Sequence, residues 1–344
     1  MDLQEFSYEL PESLIAAFPS SNRQESRLLV VRRASGELVH TFFSELGNFL
    51  DPGDLIVLND TKVFPARLHG VKESGGKVEL LLLERFPDKR SLWIALIDAA
   101  KKPKVGSQLI FDDMTAEVIG DMGRGRFGLE FHHSGDFDAR LAALGEPPLP
   151  PYVRRHRAAA ALDWQRYQTV YASNPGAIAA PTAGFHFTSG LLDRLAAKGI
   201  QRALLTLHVG PGTFQPVRSE QVESHRMEGE RYFISAEAAA KIQRAKENGR
   251  RVVAIGSTST RALEWVALQK GKVEADEGIA RLFIRPGDRF RVIDALITNF
   301  HLPKSTPLIL VTALAGLELI RKAYAEAIEK RYRFYSYGDA MLIL

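Results

Sequence analysis

His186, His208 and His301 each stand in a loop of small and hydroxyl-bearing residues beside a short apolar run. The segments read AAPTAGFHFT from Ala179, TLHVGPGTF from Thr206 and LITNFHLP from Leu296. A fourth, AIGSTSTR from Ala254, has the same design without a histidine. An imidazole titrates near neutral pH and can pass a proton in either direction. Brought together, these loops would offer three imidazoles, the hydroxyls of Thr182, Thr213, Ser257 and Thr258, and the amide of Asn299. Gly184, Gly210 and Gly212 would add bare backbone that a ligand can approach closely. Such a set suits proton transfer and hydrogen bonding. A single histidine is as readily a core residue, but three at equivalent places argue for a site.

Two more segments carry charge. LNDTKVFPARL from Leu58 packs Asn59, Asp60, Lys62 and Arg67 into nine positions, although Asn59-Asp60 is also a natural turn. YRFYSYGDAM from Tyr332 interleaves aromatics with Arg333 and Asp339. It reads either as a docked terminal strand or as a surface on which bases stack.

The elements that must position these residues are legible. After Tyr152 strands and helices alternate: Ala203–Val209, Val252–Ile255, Ala295–Ile297 and Leu308–Val311 read as buried parallel strands. Between Leu317 and Tyr332, Ile320, Ala323, Tyr324, Ala327, Ile328 and Tyr332 share one helical face. Ser235 is expected to cap a helix over 236–248 that Gly249 ends, and Ser259 one through Gln269 that Gly271 stops. Arg27–Arg32 and Leu55–Leu58 extend the same α/β layer. Between them and it lie five short runs, Val78–Leu83, Leu92–Ile97, Gln108–Phe111, Ala116–Ile119 and Phe127–Phe131, at a spacing of about 8–12 residues with no helical period. They predict a small β-barrel or sandwich, followed by the stiff linker GEPPLPP from Gly145. The expected fold is therefore a discontinuous α/β domain, residues 1–65 and 152–344, with an all-β domain, 66–151, inserted. Two consecutive domains meeting near Pro150 are the alternative. Because parallel strands present their carboxyl ends on one edge, His186, His208 and His301 are expected in one cavity with Thr182, Thr213 and Asn299.

Several functions are excluded. The chain has no cysteine, so thiolate nucleophiles, disulfides, iron–sulfur clusters and cysteine-based zinc sites are out. With 45% hydrophobic and 25% charged residues, the 344-residue chain can bury a core. A net charge of +4 permits a nucleic-acid partner without requiring one. The acidic start, MDLQE, lacks a signal-peptide layout. The longest apolar run, Pro307–Leu317, falls short of the ~20 residues that span a bilayer. A cytoplasmic protein without membrane contact is expected. The string GRGRFG from Gly123 matches a dinucleotide fingerprint, but a strand follows where the phosphate-binding helix is required. A glycine-rich hairpin is the better reading. His132-His133 would point to opposite faces of a strand, and no metal site is expected.

In this order, these strings resemble the S-adenosylmethionine:tRNA ribosyltransferase-isomerases of the queuosine pathway. The resemblance runs nearly end to end, through SRLLV from Ser26, Leu58–Leu68, Pro148–Tyr152, YQTVY from Tyr167, Ala179–Thr188, Leu207–Val217, Ile297–Thr306 and Arg333–Leu342. It implies an α/β domain plus a β-barrel, S-adenosylmethionine as co-substrate, and a tRNA carrying 7-aminomethyl-7-deazaguanine at the wobble position as partner. The base receives the ribosyl unit, which is isomerised to give epoxyqueuosine with release of adenine and methionine. Two positions depart from the family pattern: Met227-Glu228-Gly229-Glu230 stands where Met-His-x-Glu is usual, and Phe185 where Leu is usual before the histidine.

The implied chemistry assigns expected roles. A sulfonium acidifies the neighbouring ribose carbon and makes methionine a good leaving group. A base must take that proton and an acid must serve departing adenine, for which His186, His208 and His301 are the candidates, with the two roles left open among them. A guanine-like edge favours a carboxylate, so Asp60, Asp339 and then Glu230 are candidates there. The remaining substrate-binding candidates are Asn59, Thr182, Gly184, Gly210, Gly212, Thr213, Ser257, Thr258 and Asn299. Lys62, Arg67, Arg154, Arg155, Arg157 and Arg333 are candidate phosphate contacts, the arginine run being otherwise a solvated face. A monomer is expected. A methyltransferase using the same donor, and a non-catalytic RNA-binding protein, are the competing readings.

Overall fold

Along the central strands successive side chains fall alternately into two apolar layers. Leu55 and Val57 enter one, Ile56 and Leu58 the other, and the same division runs through Val252–Ile255 and Leu28–Val31. Strands buried on both faces need covers on both faces, and the architecture follows from that need. The computed structural model describes all residues except 21, 87–90, 151–152, 154–163, 215–216 and 218, and leaves the side chains of 24, 213 and 214 undescribed.

A nine-stranded sheet contains β1 (Arg27–Val31), β2 (Leu38–Phe42), β3 (Leu55–Asn59), β12 (Gln201–Leu207), β13 (Glu230–Ile234), β14 (Val252–Ile255), β15 (Asp276–Ala280), β16 (Ala295–Asn299) and β17 (Ala340–Ile343). Its order is β15-β13-β12-β3-β14-β16-β17-β1-β2. The middle, β12-β3-β14-β16, is parallel throughout. The flanks are antiparallel at β12–β13, β13–β15, β16–β17 and β1–β2, so the sheet is mixed. Helices α3 (Ala236–Glu247), α4 (Gly256–Lys270), α5 (Thr306–Ala315) and α6 (Leu317–Glu329) cover one face. Helix α2 (Ser189–Ala197) and the 3-10 segment Phe43–Phe49 cover the other.

The inserted domain is a closed antiparallel barrel of β5 (Arg67–Lys72), β6 (Lys77–Arg85), β7 (Leu92–Asp98), β8 (Gln108–Phe111), β9 (Met114–Gly123) and β10 (Arg126–His132). Each of the five short apolar runs lies in one of its strands. The glycine string is the β9–β10 hairpin, where Gly123, Arg124 and Gly125 all have positive φ. Helix α1 (Phe137–Leu144) seals the barrel with Phe137 and Leu141. The chain leaves the sheet through β4 (Thr61–Val63) and returns through β11 (Asn174–Ala177), which pair in parallel as a two-stranded sheet of their own. Ile178, just past β11, completes the barrel core.

Three expectations are corrected. Leu308–Val311 is helical, within α5, because Ser305 caps the run and Pro307 suits a first turn. A short buried apolar run does not distinguish strand from helix. Helix α4 begins at Gly256, not after Ser259. The Ser259 and Thr260 hydroxyls donate back to the carbonyls of Ile255 and Gly256, at 2.9 and 3.1 Å, instead of capping. The aromatic terminal segment is no exposed stacking surface. Tyr332 and Phe334 are buried against Phe300 and Tyr324, and the chain ends as a docked strand. Ser235 does cap α3, and Gly271 stops α4 in the left-handed conformation. Among the described residues no helix is long and apolar enough to cross a membrane.

Helix α4 is fixed to the segment entering β16 by one buried carboxylate. Glu264 accepts the backbone N–H groups of Arg291, Val292 and Ile293 at 2.7, 3.0 and 3.0 Å. Glu264→Ala would leave these donors without their acceptor, so it should destabilise the fold by roughly 3 kcal/mol or more. An unchanged urea midpoint would contradict this.

Candidate functional site

The carboxyl ends of β12, β3, β14 and β16 lie on one edge of the sheet, and two cavities open there. A smaller one, about 190 Å³, lies over β14 and β16. Thr182, Gly256, Ser257, Thr258, Asn299 and His301 line it, together with Val209, Thr298 and Tyr335. Asn299, the last residue of β16, organises its floor. Its Oδ1 accepts from the Thr182 hydroxyl at 3.2 Å, and its Nδ2 reaches the Tyr335 carbonyl and His186 Nε2, both at 3.2 Å. His301 Nε2 lies 2.7 Å from the Thr298 hydroxyl. The His301 peptide is clamped on both sides, its N–H donating to Tyr324 at 3.0 Å and its carbonyl accepting from the Tyr8 hydroxyl.

The larger cavity, about 570 Å³, is the cleft between barrel and sheet. The barrel side contributes Phe64, Trp93, Arg85 and Arg126; the sheet side contributes His208, Gly210, Glu228, Glu230 and Arg231. Its size lies within the range of small-molecule pockets, about 300–1,000 Å³, whereas the smaller cavity lies below it. Val209 is common to both walls, so the two cavities adjoin. His208 Nδ1 is 2.8 Å from the Thr61 hydroxyl of β4. Gly176 passes so close that a Cβ there would stand 2.7 Å from the ring. Only glycine fits.

The three imidazoles therefore do not share one cavity. His301 lines the smaller, His208 the larger, and His186 lies behind Asn299, buried against Phe43. The strand order explains the separation: β12 and β16 are three places apart, roughly 14 Å at about 4.8 Å per strand. Thr182 and Asn299 do meet His301. Thr213 is in a 3-10 turn whose side chain is not described.

Burial lowers the pKa of all three. His186 is pushed down to about 3, first by burial and then by Arg23 and Arg333, and His301 to about 3 by burial. His208 is lowered by burial and Arg231 while Asp60 opposes the change. His186 and His301 are consequently neutral at physiological pH and hold no imidazolium proton to donate.

The carboxylates proposed for base recognition are engaged inside the fold. Asp60 accepts from the Thr206 and Ser173 hydroxyls and the Asn174 amide, at 2.6, 3.1 and 2.9 Å. Asp339 pairs with Arg27 and accepts the N–H groups of Arg27 and Arg333. Glu230 forms a buried pair with Arg261 and accepts the Gly210 N–H at 3.0 Å, though it also borders the cleft. Asn59 joins β3 to β12 through both backbone groups of Leu207. Gly184 gives room to the Tyr171 hydroxyl, and Gly212 to Glu228. Of the basic candidates, Lys62 is exposed. Arg67 pairs with Glu79, and Arg333 reaches the Phe18 carbonyl. Arg154, Arg155 and Arg157 lie outside the described residues. Among the described residues no three His, Asp or Glu side chains gather as metal ligands.

Sequence reasoning missed Thr61, Trp93, Arg126 and Val209. Thr61 and Val209 fall inside quoted strings and could have been found as neighbours of Asp60 and His208. Trp93 and Arg126 come from barrel strands, and nothing local marks which barrel face meets the sheet.

A family model described as queuosine biosynthesis protein matches residues 3–343. Curated relatives named S-adenosylmethionine:tRNA ribosyltransferase-isomerase include those of Syntrophotalea carbinolica, 47% identical over 345 residues, and Symbiobacterium thermophilum, 50% identical over 347, each alignment covering 100% of both chains. Among solved structures, the S-adenosylmethionine tRNA ribosyltransferase of Thermotoga maritima is 36% identical with a TM-score of 0.56, covering 99% of this chain and 100% of that one.

The buried His186 has a consequence in acid. Above the ordinary value of about 6.5 it is neutral folded or unfolded, and its titration leaves stability unchanged. As pH falls below that, the unfolded chain takes a proton the folded chain refuses, so stability drops until pH reaches about 3. His186→Gln should make unfolding free energy less steep in pH by up to about one proton between pH 6 and 4. Equal slopes in variant and parent would mean that the folded state protonates His186.

Proposed function

The chain belongs to the queuosine biosynthesis protein family and has its S-adenosylmethionine:tRNA ribosyltransferase-isomerase activity, and we propose that its two adjoining cavities divide the work, donor in one and tRNA base in the other. The observation that carries this division is the wall shared at Val209, between a small uncharged cavity and a large charged cleft.

The cleft suits the base. Phe64 and Trp93 put aromatic rings on its wall, and Glu228, partly exposed beside Arg126, is the carboxylate within reach of an aminomethyl cation, Glu230 being held by Arg261. Among the described residues the smaller cavity is bordered by no Asp, Glu, Lys or Arg, and at about 190 Å³ it takes only part of the donor. The ribosyl unit would then sit at the junction, where the two reactants must meet.

His208 is the base on this reading. Burial keeps it neutral and able to accept, Thr61 fixes its ring through Nδ1, and Nε2 has no hydrogen-bond partner among the described residues. It would take a proton from the ribose carbon beside the sulfonium. The aminomethyl nitrogen, once neutral, would bond to the sugar. The glycosidic electron pair would leave with adenine, which takes the proton held by His208. The sulfur–carbon pair would leave with methionine as the sugar's vacated carbons and ring oxygen close to the epoxycyclopentanediol. His301 and His186, held neutral, orient the donor pocket through Thr298 and Asn299. The tRNA backbone meets Lys62 and the arginines at 154, 155 and 157, on the strength of their charge alone.

Protein, S-adenosylmethionine and tRNA bearing 7-aminomethyl-7-deazaguanine should yield adenine and methionine in equal amounts. Formation of S-adenosylhomocysteine would show methyl transfer instead. His208→Gln should lower turnover by about 10²–10⁴-fold with tRNA affinity and thermal midpoint nearly kept. A larger loss in His301→Asn than in His208→Gln would place the base in the smaller cavity.

A further inference from the structure

We propose that the amino terminus of α4, together with the Thr258 hydroxyl, seats the carboxylate of the donor's methionine tail. The proposal rests on the reading that the smaller cavity holds the donor. Helix α4 is 15 residues long, starts on the cavity wall at Gly256, has no side-chain cap from Ile255 and no acidic residue in its first turn. Its first N–H groups lack intrahelical partners, and they carry the positive end of the helix dipole. That combination is ready for an anion.

A second observation points to a ligand. Thr258 is 5% exposed and its hydroxyl has no hydrogen-bond partner among the described residues. A buried hydroxyl without a partner costs free energy. Its oxygen lies 3.6 Å from where a Cβ of Gly256 would be, and Ala183 Cβ lies 3.4 Å from the same point; all three residues line the cavity. The hydroxyl thus faces the same space as the free amides. Gly256 has φ +86°, so a side chain is strained there, and the glycine leaves the helix end open.

The small size of the cavity, about 190 Å³, favours a carboxylate over a backbone phosphate. A phosphodiester continues in two directions and must enter and leave, whereas a carboxylate is the end of its molecule. Pro181, Pro303 and Pro307 also line it and have no N–H to offer. The α4 terminus is the part of the wall where backbone N–H groups and the Thr258 hydroxyl stand together.

The test compares S-adenosylmethionine with its decarboxylated analogue, titrated calorimetrically into protein saturated with tRNA lacking the aminomethyl base, so that nothing turns over. The wild-type protein should bind the analogue roughly tenfold or more weakly. Thr258→Val should remove much of that difference and Thr258→Ser retain it. Ser257→Asp, which places negative charge where a helix favours it, should keep the thermal midpoint yet weaken S-adenosylmethionine specifically. Equal affinities of the wild type for the two compounds would overturn the proposal, as would variants that weaken both equally. Loss of tRNA affinity with donor affinity intact would assign the site to a phosphate. Adenine release measured alongside keeps the parent reading separate: its absence from the reaction with substrate tRNA would remove the activity, not the carboxylate preference.

Discussion

The buried carboxylate of Asp60 is the point on which the two domains and the cleft between them depend. It stands where β3 ends and the chain turns toward the barrel, and it collects the Thr206 hydroxyl from β12 and Ser173 and Asn174 from the returning chain. Its carbonyl also accepts the N–H groups of Ser173 and Asn174, at 2.8 and 3.2 Å. A charge taken out of water is tolerable only when fully hydrogen-bonded. Outgoing chain, returning chain and neighbouring strand must therefore all be in place together. Asn59 continues the β3–β12 connection where the backbone ladder stops. Thr61, one residue beyond Asp60, then meets the His208 ring. A residue type that would serve base recognition serves instead to fix the geometry in which recognition takes place.

From that junction the electrostatic division of the site follows. The smaller cavity is built over β14 and β16, from a helix terminus, hydroxyls and an amide, and the groups there stay neutral. The cleft is built where barrel meets β13, and charges of both signs line it. A sulfonium donor and an ammonium-bearing base are both cations, and placing them in one unscreened pocket would set them against each other. On the proposed division the base meets the carboxylate of Glu228 in the cleft, while the smaller cavity has no ionised side chain on its wall among the described residues, so each cation has its own environment. On that division the reactants meet at the boundary at Val209, which lines both cavities.

What the sequence displayed was what local periodicity encodes. The barrel runs alternate cleanly, as in β7, whose Trp93, Ala95 and Ile97 are buried, and five of six strands could be read. The unread one, β5, buries only Leu68 in full, too little for an alternating signal. Three of the four apolar runs read as parallel strands after Tyr152 are strands, Leu308–Val311 being helical, and Thr182, Asn299 and His301 do meet. Strand order was not legible, because it is set by connections across the sheet. The one-cavity expectation failed for His208 on that order, since it follows β12, three places from β16, and for His186 because its ring is buried behind Asn299 against Phe43. The α4 start was misread because a hydroxyl that caps and one that bonds back to a carbonyl look alike as letters.

Position 228 shows how little the cleft relies on ions for its cohesion. Where the family pattern has histidine, this chain has Glu228, which takes Arg126 of β10 at 2.5 Å across the cleft. Both side chains are about a third exposed, 32% and 27%, and pairs of that kind contribute only ~0–1 kcal/mol. Arg231 and Glu84 form a second, longer contact at 3.7 Å, over half exposed on each side, which adds less. The domains are held by other means: the β4–β11 pairing, Ile178 in the barrel core, and the Asp60 cluster. All three lie at the crossing between the domains and involve none of the ion pairs across the cleft. Breaking Arg126–Glu228 therefore costs the fold little.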